Sequence, residues 1–377
     1  MELKALNILT VRFAANGITA FVMNYYRSMA RQGLCADFVV PNEPPEQTML
    51  EIAAGGGRVF VLPQRNRSPR SYLRALSRIV RAGGYDLVHA HGNSATLYVE
   101  MHAAARGGAR VRIAHSHNTS CRQKLADRLL RPLFYKSYTH ALACGQAAGE
   151  WLFPHRPFTV VQNAVDARAF AFDPAARQAV REAYGLQDAP VVCHVGTFNA
   201  QKNHAFLLAA FAALAERMPD ARLLLVGGGP LLEDARAQAG RLGLSEQIRF
   251  AGTVESAAPY LCAADAFGLP SLYEGVPFTL VEAQCAGLPC VVSEAVTREA
   301  FLTDDVTALP AAGADAAAQW ADALETALRA RHGAAARCAA SGAAAKAAVE
   351  RGFSIDHNAE ALLRLYKTFC AEPEAGA

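Results

Sequence analysis

The sequence lacks most of what would mark a membrane, secreted or nucleic-acid-binding protein. It has no uninterrupted run of about eighteen apolar residues, which excludes a membrane-spanning helix. Residues 1–12 carry neither a continuous apolar core nor a small-residue cleavage site, so export is not expected. Charge is scarce and nearly balanced, with 19% charged residues and a net charge of +3, and nothing global favours nucleic acid as a partner. The nine cysteines are odd in number and scattered, with no Cys-x-x-Cys pair. This fits reduced, buried thiols in the cytoplasm and not a disulfide framework. With 52% hydrophobic residues, the 377-residue chain reads as globular and long enough for two domains.

What is present is an alternation of short apolar runs and helical stretches. Residues 6–13 read as a buried strand, followed by a turn at Asn16 and Gly17 and a helix from Phe21. Further strands are expected at 36–41, 58–62, 87–90 and 109–114. A boundary near 158–166 is followed by strands at 191–195, 221–226, 248–251 and 266–269, with helices at 203–218 and 231–242. This predicts an α/β chain of two doubly wound, mostly parallel sheets, residues 1–165 and 166–353, with a cleft between them. The alanine-rich residues 312–352 read as covering helices with a Trp320, Leu324, Leu328 stripe, and Ser354 can cap a last helix at 355–369.

The chemistry is expected in residues 271–289, Ser-Leu-Tyr-Glu-Gly-Val-Pro-Phe-Thr-Leu-Val-Glu-Ala-Gln-Cys-Ala-Gly-Leu-Pro. Gly275 allows a tight turn, Pro277 suits a first helical position, and Gly287 with Pro289 reads as a stop, giving a helix at 277–286. Its first amides, near Phe278, Thr279 and Leu280, have no intrahelical partner, and the helix dipole favours an anion there. Glu274 before the helix and Glu282 one turn inside would flank a bound diphosphate. The plainer alternative is a solvated loop acid and an acid that complements a helix start.

Two histidine pairs, His89 with His91 and His115 with His117, sit at expected strand ends, where i, i+2 side chains point the same way. A metal site is set aside because no third ligand has an obvious spacing. Residues 65–81 and 122–136 are basic and partly apolar, readable as solvated helix faces or as contacts with an anionic membrane.

Glu274-x7-Glu282, within Pro-Ser-Leu-Tyr-Glu-Gly-Val-Pro and Glu-Ala-x-x-Ala-Gly-Leu-Pro, resembles glycosyltransferase family 4. Asn163-Ala164-Val165-Asp166 resembles the family's Asn-Gly-Val-Asp linker, with Ala164 for glycine. The resemblance implies a GT-B fold, two Rossmann-like domains facing across a cleft, with the C-terminal helix, residues 354–377, joined to the first. It also implies metal-independent transfer, with retention, of a hexose or N-acetylhexosamine from a nucleotide diphosphate sugar, a UDP-sugar before a GDP-sugar. Glu274 would hold hydroxyls of the transferred sugar and Glu282 the ribose diol. The loop of Gly275, Val276, Pro277, Phe278 and Thr279 would hold the diphosphate.

Lys202 stands where the family places a lysine facing the diphosphate, but Thr197 replaces the arginine that usually accompanies it. Gly17 occupies part of a glycine pair that borders the donor phosphates. Gly227 and Gly229 resemble a turn that lets a ligand lie against backbone, and Val254 belongs to the edge that receives the base. His117, with His115 as the competing alignment, would touch the transferred sugar, so the implied catalytic residues are His117, Glu274 and Lys202. Arg-Ile-Ala-His-Ser-His-Asn and Gln-Lys-Asn-His resemble the bacterial exopolysaccharide and capsule branch, which implies a growing, lipid-linked glycan as acceptor at the inner face of the plasma membrane. Two rivals share the architecture: a nucleotide-sugar 2-epimerase, and a non-catalytic nucleotide-sugar-binding protein, for which Thr197 is the best argument. A glycoside hydrolase is disfavoured, since Glu274 and Glu282 are not placed as a pair around a glycosidic bond.

Overall fold

The computed structural model describes residues 3–373, apart from residues 15, 63, 64, 66, 67, 122, 275, 331 and 332. The chain divides into two compact units, Met1–Ala164 with Ile355–Ala377, and Val165–Ser354. Among the described residues no helix is long and apolar enough to cross a membrane. All nine cysteines are free thiols.

In the first unit, β1 (Leu3–Leu9), β2 (Leu34–Val40), β3 (Val59–Val61), β4 (Leu87–Gly92), β5 (Val111–Ser116), β6 (His140–Ala143) and β7 (Thr159–Val160) alternate with six helices. These are α1 (Gly17–Ala30), α2 (Glu46–Ala54), α3 (Pro69–Gly83), α4 (Tyr98–Gly107), α5 (Lys124–Phe134) and α6 (Gln146–Leu152). The strands form one parallel sheet in the order β3-β2-β1-β4-β5-β6-β7. Covered on both faces, such a sheet needs near-continuous apolar strands, and Ala5, Leu6, Ile8 and Leu9 of β1 are all buried. β1 stops at Leu9, short of the expected 13, because Thr10 and Phe13 turn to other partners. Thr10 Oγ1 donates to the His91 carbonyl (2.8 Å) and the Phe13 amide to Asn42 Oδ1 (2.9 Å). β5 lies two residues later than expected, since Gly108, at φ +92°, still closes α4.

The second unit contains α7 (Pro174–Ala183), β8 (Val191–Val195), α8 (His204–Arg217), β9 (Arg222–Val226), α9 (Leu232–Arg241), β10 (Ile248–Gly252), α10 (Ala258–Ala263) and β11 (Ala266–Leu269). It continues with α11 (Phe278–Cys285), β12 (Cys290–Ser293), β13 (Val306–Leu309), α12 (Ala316–Arg329) and α13 (Ala334–Glu350). Its sheet is again parallel, in the order β10-β9-β8-β11-β12-β13. Trp320, Leu324 and Leu328 are fully buried and join the core of α8 and β9. The last helix, α14 (Ile355–Ala371), belongs to the first unit. Asp356 there accepts from Ser28 Oγ (3.1 Å), and Tyr366 reaches His89.

Each sheet reverses its strand order once, between β1 and β4 and between β8 and β11. Loops leaving the carboxyl ends of neighbouring strands diverge at that point and leave room for a ligand. In the second unit, at the opposite, amino ends of β8 and β11, Asp265 accepts from Arg177 (2.7 Å), Arg181 (2.7 Å) and the Val191 amide (2.9 Å). Asp265→Ala removes the carboxylate that these two largely buried guanidiniums share. It is expected to lower the stability of this unit by about 3 kcal/mol, read as a shifted urea midpoint at unchanged slope.

Candidate active site

β8 and β11 are neighbours, so the loops that follow them, 196–203 and 270–277, emerge side by side. Backbone bonds tie them together. The Leu272 amide donates to the Gln201 carbonyl (2.8 Å), and Gln201 Nε2 donates to the Tyr273 carbonyl (3.0 Å). Lys202 is fixed at its own amide, which donates to Asn199 Oδ1 (3.0 Å), and its stem lies over Gly196, where an added Cβ would sit 3.2 Å from it. Its ammonium is 2.7 Å from Glu274 Oε1, and the two side chains are only 15% and 10% exposed. The two residues that sequence assigned separately, one to a diphosphate and one to a sugar, are thus paired with each other.

α11 begins at Phe278, one residue later than expected, and ends at Cys285. Pro277 is its N-cap, with an extended ψ of 121°. The Pro277 carbonyl accepts from Leu280 (3.2 Å) and Val281 (3.4 Å), which removes the Leu280 amide from the expected set of three. The amides of Phe278 and Thr279 have no acceptor among the described residues. Nearby, Ser271 Oγ and Thr279 Oγ1 are buried without a partner, although buried hydroxyls are normally bonded. Glu282 follows one turn into the helix. Burial pushes its carboxyl up to about 7, against the opposing pull of the Lys202 charge. Gly275 lies outside the described residues; Val276 is half-buried beside Pro277.

Gly227 and Gly229 lie in the turn after β9. Both have left-handed backbones, at φ +138° and +152°, but the space beside them is taken by the protein's own chain. An added Cβ would lie 2.1 Å from the Gly196 carbonyl oxygen at Gly227 and 2.5 Å from the Phe198 carbonyl oxygen at Gly229. They let the turn after β9 pack on the loop after β8, where the Phe198 amide donates to the Gly228 carbonyl (2.9 Å). Thr197 is half-buried in that same loop, and Val254 packs at the edge of the core beyond β10.

The first unit carries the remaining candidates. Gly17 is the first residue of α1, behind an Asn16 cap that accepts from the Thr19 amide (3.1 Å), and nothing lies within 4 Å of a Cβ built on it. β4 and β5 run in register with His91 opposite His115, which gathers four imidazoles. His89 Nδ1 meets the Tyr366 hydroxyl (2.6 Å), His89 Nε2 meets His115 Nδ1 (3.1 Å), and His91 Nδ1 meets His117 Nε2 (3.0 Å). Burial lowers the pKa of all four, that of His117 to about 3, so each is neutral at pH 7. His115 is fully buried within the strand, whereas His117, one residue beyond β5, is half-buried.

The sequence named His115 without a spacing that joins it to His89 and His91; the parallel pairing of β4 and β5 brings the three together. Ring nitrogens of His89, His91 and His115 lie within 4.8 Å of one another, a set that could hold a metal ion. In the structure two of the three rings bond to one another and the set reaches His117 and Tyr366. Tyr366 carried no motif that would have singled it out, whereas Ser271 and Thr279 lie within the 271–289 stretch, where the sequence assigned their hydroxyls no role.

Comparison with known proteins places this geometry in a family. Residues 15–169 match the family described as Glycosyltransferase Family 4, and residues 189–330 the family described as Glycosyl transferases group 1. EpsF of Bacillus subtilis (strain 168), named a glycosyltransferase, is 35% identical over 297 residues, covering 75% of this chain and 77% of its own. The UDP-Gal:alpha-D-GlcNAc-diphosphoundecaprenol alpha-1,3-galactosyltransferase of Escherichia coli is 27% identical over 237 residues, 59% of this chain and 61% of its own. The crystal structure of Anabaena HepE in complex with UDP-glucose superposes with a TM-score of 0.77 at 19% identity, covering 97% of this chain and 100% of that one, which shows a shared fold.

The buried imidazoles and Glu282 set opposite pH dependences on the two units. The unfolded histidines bind protons below about 6.5 and the folded ones do not, so their contribution to stability is present above that pH and lost as pH falls. Glu282, raised from 4.5 to about 7, contributes while protonated, and that contribution is lost as pH rises through about 7. Acid unfolding of the first unit is therefore expected to begin just below pH 6.5, at up to about 1.4 kcal/mol per pH unit for each histidine. Hydrogen exchange resolved by unit, as pH is lowered, checks it.

Proposed function

Because the chain belongs to glycosyltransferase family 4 and is a hexosyltransferase of the GT-B fold, we propose that it moves a hexose or N-acetylhexosamine from a UDP-sugar, with retention, to a growing lipid-linked glycan of a surface polysaccharide. The observation that carries this is the meeting of Lys202 with Glu274, which just precedes in the chain the Phe278 and Thr279 amides that have no acceptor among the described residues. Those amides and the Lys202 ammonium form a set of fixed donors for a diphosphate. They would take up the charge that develops on the departing nucleotide without a metal cofactor.

Donor entry exchanges partners: Lys202 leaves Glu274 for the diphosphate, and the freed carboxylate accepts from hydroxyls of the transferred sugar. Glu282 accepts from the ribose diol. His117 is the sugar-side histidine, since His115 is sealed in β5. Support for a uridine carrier comes from the UDP-glucose bound by HepE, and support for a lipid-linked acceptor from the diphosphoundecaprenol substrate of the Escherichia coli relative. Such an acceptor would bring the enzyme to the inner face of the plasma membrane, in exopolysaccharide or capsule assembly.

The exchange separates two ligands. In Glu274→Ala, Lys202 is released, so UDP is expected to bind at least as tightly as to the wild type, while a UDP-sugar loses its sugar contacts and binds on the order of tenfold or more weakly. Titration calorimetry with both ligands, with and without EDTA, checks this; equal losses for UDP and UDP-sugar would contradict it, and a requirement for a cation would contradict the metal-independent part.

Hydroxyls of the ribose donate more strongly to Glu282 once it is ionised, so donor affinity is expected to rise as pH rises through about 7. In Glu282→Gln the affinity is expected to fall and this pH dependence to disappear. A pH series of dissociation constants for the two proteins tests the assignment.

A further inference from the structure

β1 carries one residue that sits badly in a covered parallel sheet. Asn7, only 5% exposed, stands between the fully buried Leu6 and Ile8, and a buried carboxamide is costly unless it is bonded. Its oxygen faces the neighbouring strand β4, where Oδ1 lies 3.4 Å from His91 Nε2. The other ring nitrogen of His91, Nδ1, lies 3.0 Å from His117 Nε2. Side chains from β1, from β4 and from just past β5 therefore form one line, which runs from the core to the half-buried His117.

His117 is held on its other sides as well. Its ring stacks on that of His115, with centroids 4.1 Å apart and 20° between planes, and meets Phe21 of α1 edge-on at 4.9 Å. Its Nδ1 has no hydrogen-bond partner among the described residues.

The protons along this line can be placed. Both imidazoles are neutral at pH 7, so each has a single N–H. A carboxamide oxygen only accepts, which puts the proton of His91 on Nε2, pointing at Asn7. His91 Nδ1 is then a bare acceptor, and His117 donates to it from Nε2. A lone pair is left on His117 Nδ1.

We propose that Asn7 is a positioning residue that, through His91, fixes His117 as a hydrogen-bond acceptor, so that the sugar position facing His117 must offer a hydroxyl donor and not an ether or carbonyl oxygen. This presupposes the sugar-side placement of His117 proposed above, and adds which nitrogen is free and what chemistry it selects. Without the Asn7 oxygen, the buried His91 Nε2–H is unpaired, which drives the proton to Nδ1 and reverses the line. His117 then presents an N–H to the sugar where a lone pair is needed.

Nitrogen NMR of the ligand-free full chain, labelled with 15N at histidine and treated with EDTA to keep metal off the rings, reads the protons directly. His117 is expected to carry its proton on Nε2, coupled through the hydrogen bond to an unprotonated His91 Nδ1. A proton on His117 Nδ1, the pattern that an Asn7 turned to present its NH2 would give, overturns the proposal. In Asn7→Leu the line is expected to reverse. Calorimetry then follows UDP and whichever of UDP-glucose, UDP-galactose and their N-acetylhexosamine counterparts binds the wild type most tightly. Asn7→Leu is expected to weaken the UDP-sugar on the order of tenfold and to leave UDP unchanged. In a His117→Phe background the same substitution is expected to change neither, because the two residues act through one contact. Equal losses in both backgrounds make Asn7 a packing residue and overturn the proposal. Should Asn7→Leu misfold, the wild-type spectrum still decides. The expected proton pattern together with a His117→Phe that binds the UDP-sugar as well as the wild type contradicts the sugar-side placement of His117, and with it the hydroxyl selection. The reversed pattern in the wild type contradicts the relay alone.

Discussion

The account depends on one constraint: the amides of Phe278 and Thr279 have no acceptor among the described residues, and the Lys202 ammonium is paired with Glu274, just ahead of them in the chain. Backbone N–H groups that no carbonyl reaches are costly unless water or a ligand takes them, and here they open a helix whose dipole adds to their pull. The parallel sheet enforces the arrangement. Because β8 and β11 are adjacent at the point where strand order reverses, their following loops must run alongside each other, and the Gln201 bonds fix their register. Glycine at 227 and 229 lets the third loop lie flat against the first. Lys202 is therefore held in place by packing at its stem while its head remains free to change partners.

The first unit solves a different problem. His89, His91 and His115 are buried and neutral on adjacent strands, His117 is neutral and half-buried just past β5, and three ring contacts join these imidazoles to each other or to Tyr366. A buried polar network is stable only when its members are mutually satisfied, which makes α14 part of the support for the histidine layer. The unbonded Nε2 of His115 is the exception, buried without a partner. His117, at the open end of the layer, draws its orientation from His91.

Much of this was legible in the sequence because it is local. β8 and β11 fall on the expected residues, as continuous apolar runs closed off by Gly196 and by Pro270, and the Trp320 stripe is buried as its spacing implied. The strands that escaped notice, β6, β7, β12 and β13, are four residues or fewer. Contacts between distant residues were not legible. Lys202 and Glu274 are 72 positions apart, and only strand order brings them together. The same holds for His115 beside His89 and His91. Glycine motifs are ambiguous by nature, since room for a ligand and room for backbone leave the same trace.

The most direct test of the central claim follows the amides themselves. Backbone hydrogen exchange at Phe278 and Thr279, measured by NMR without and with saturating UDP, should slow markedly in the complex, with the Lys202 side-chain resonances shifting together with them. Exchange at both positions that is unchanged by UDP, while UDP is demonstrably bound, would contradict the account.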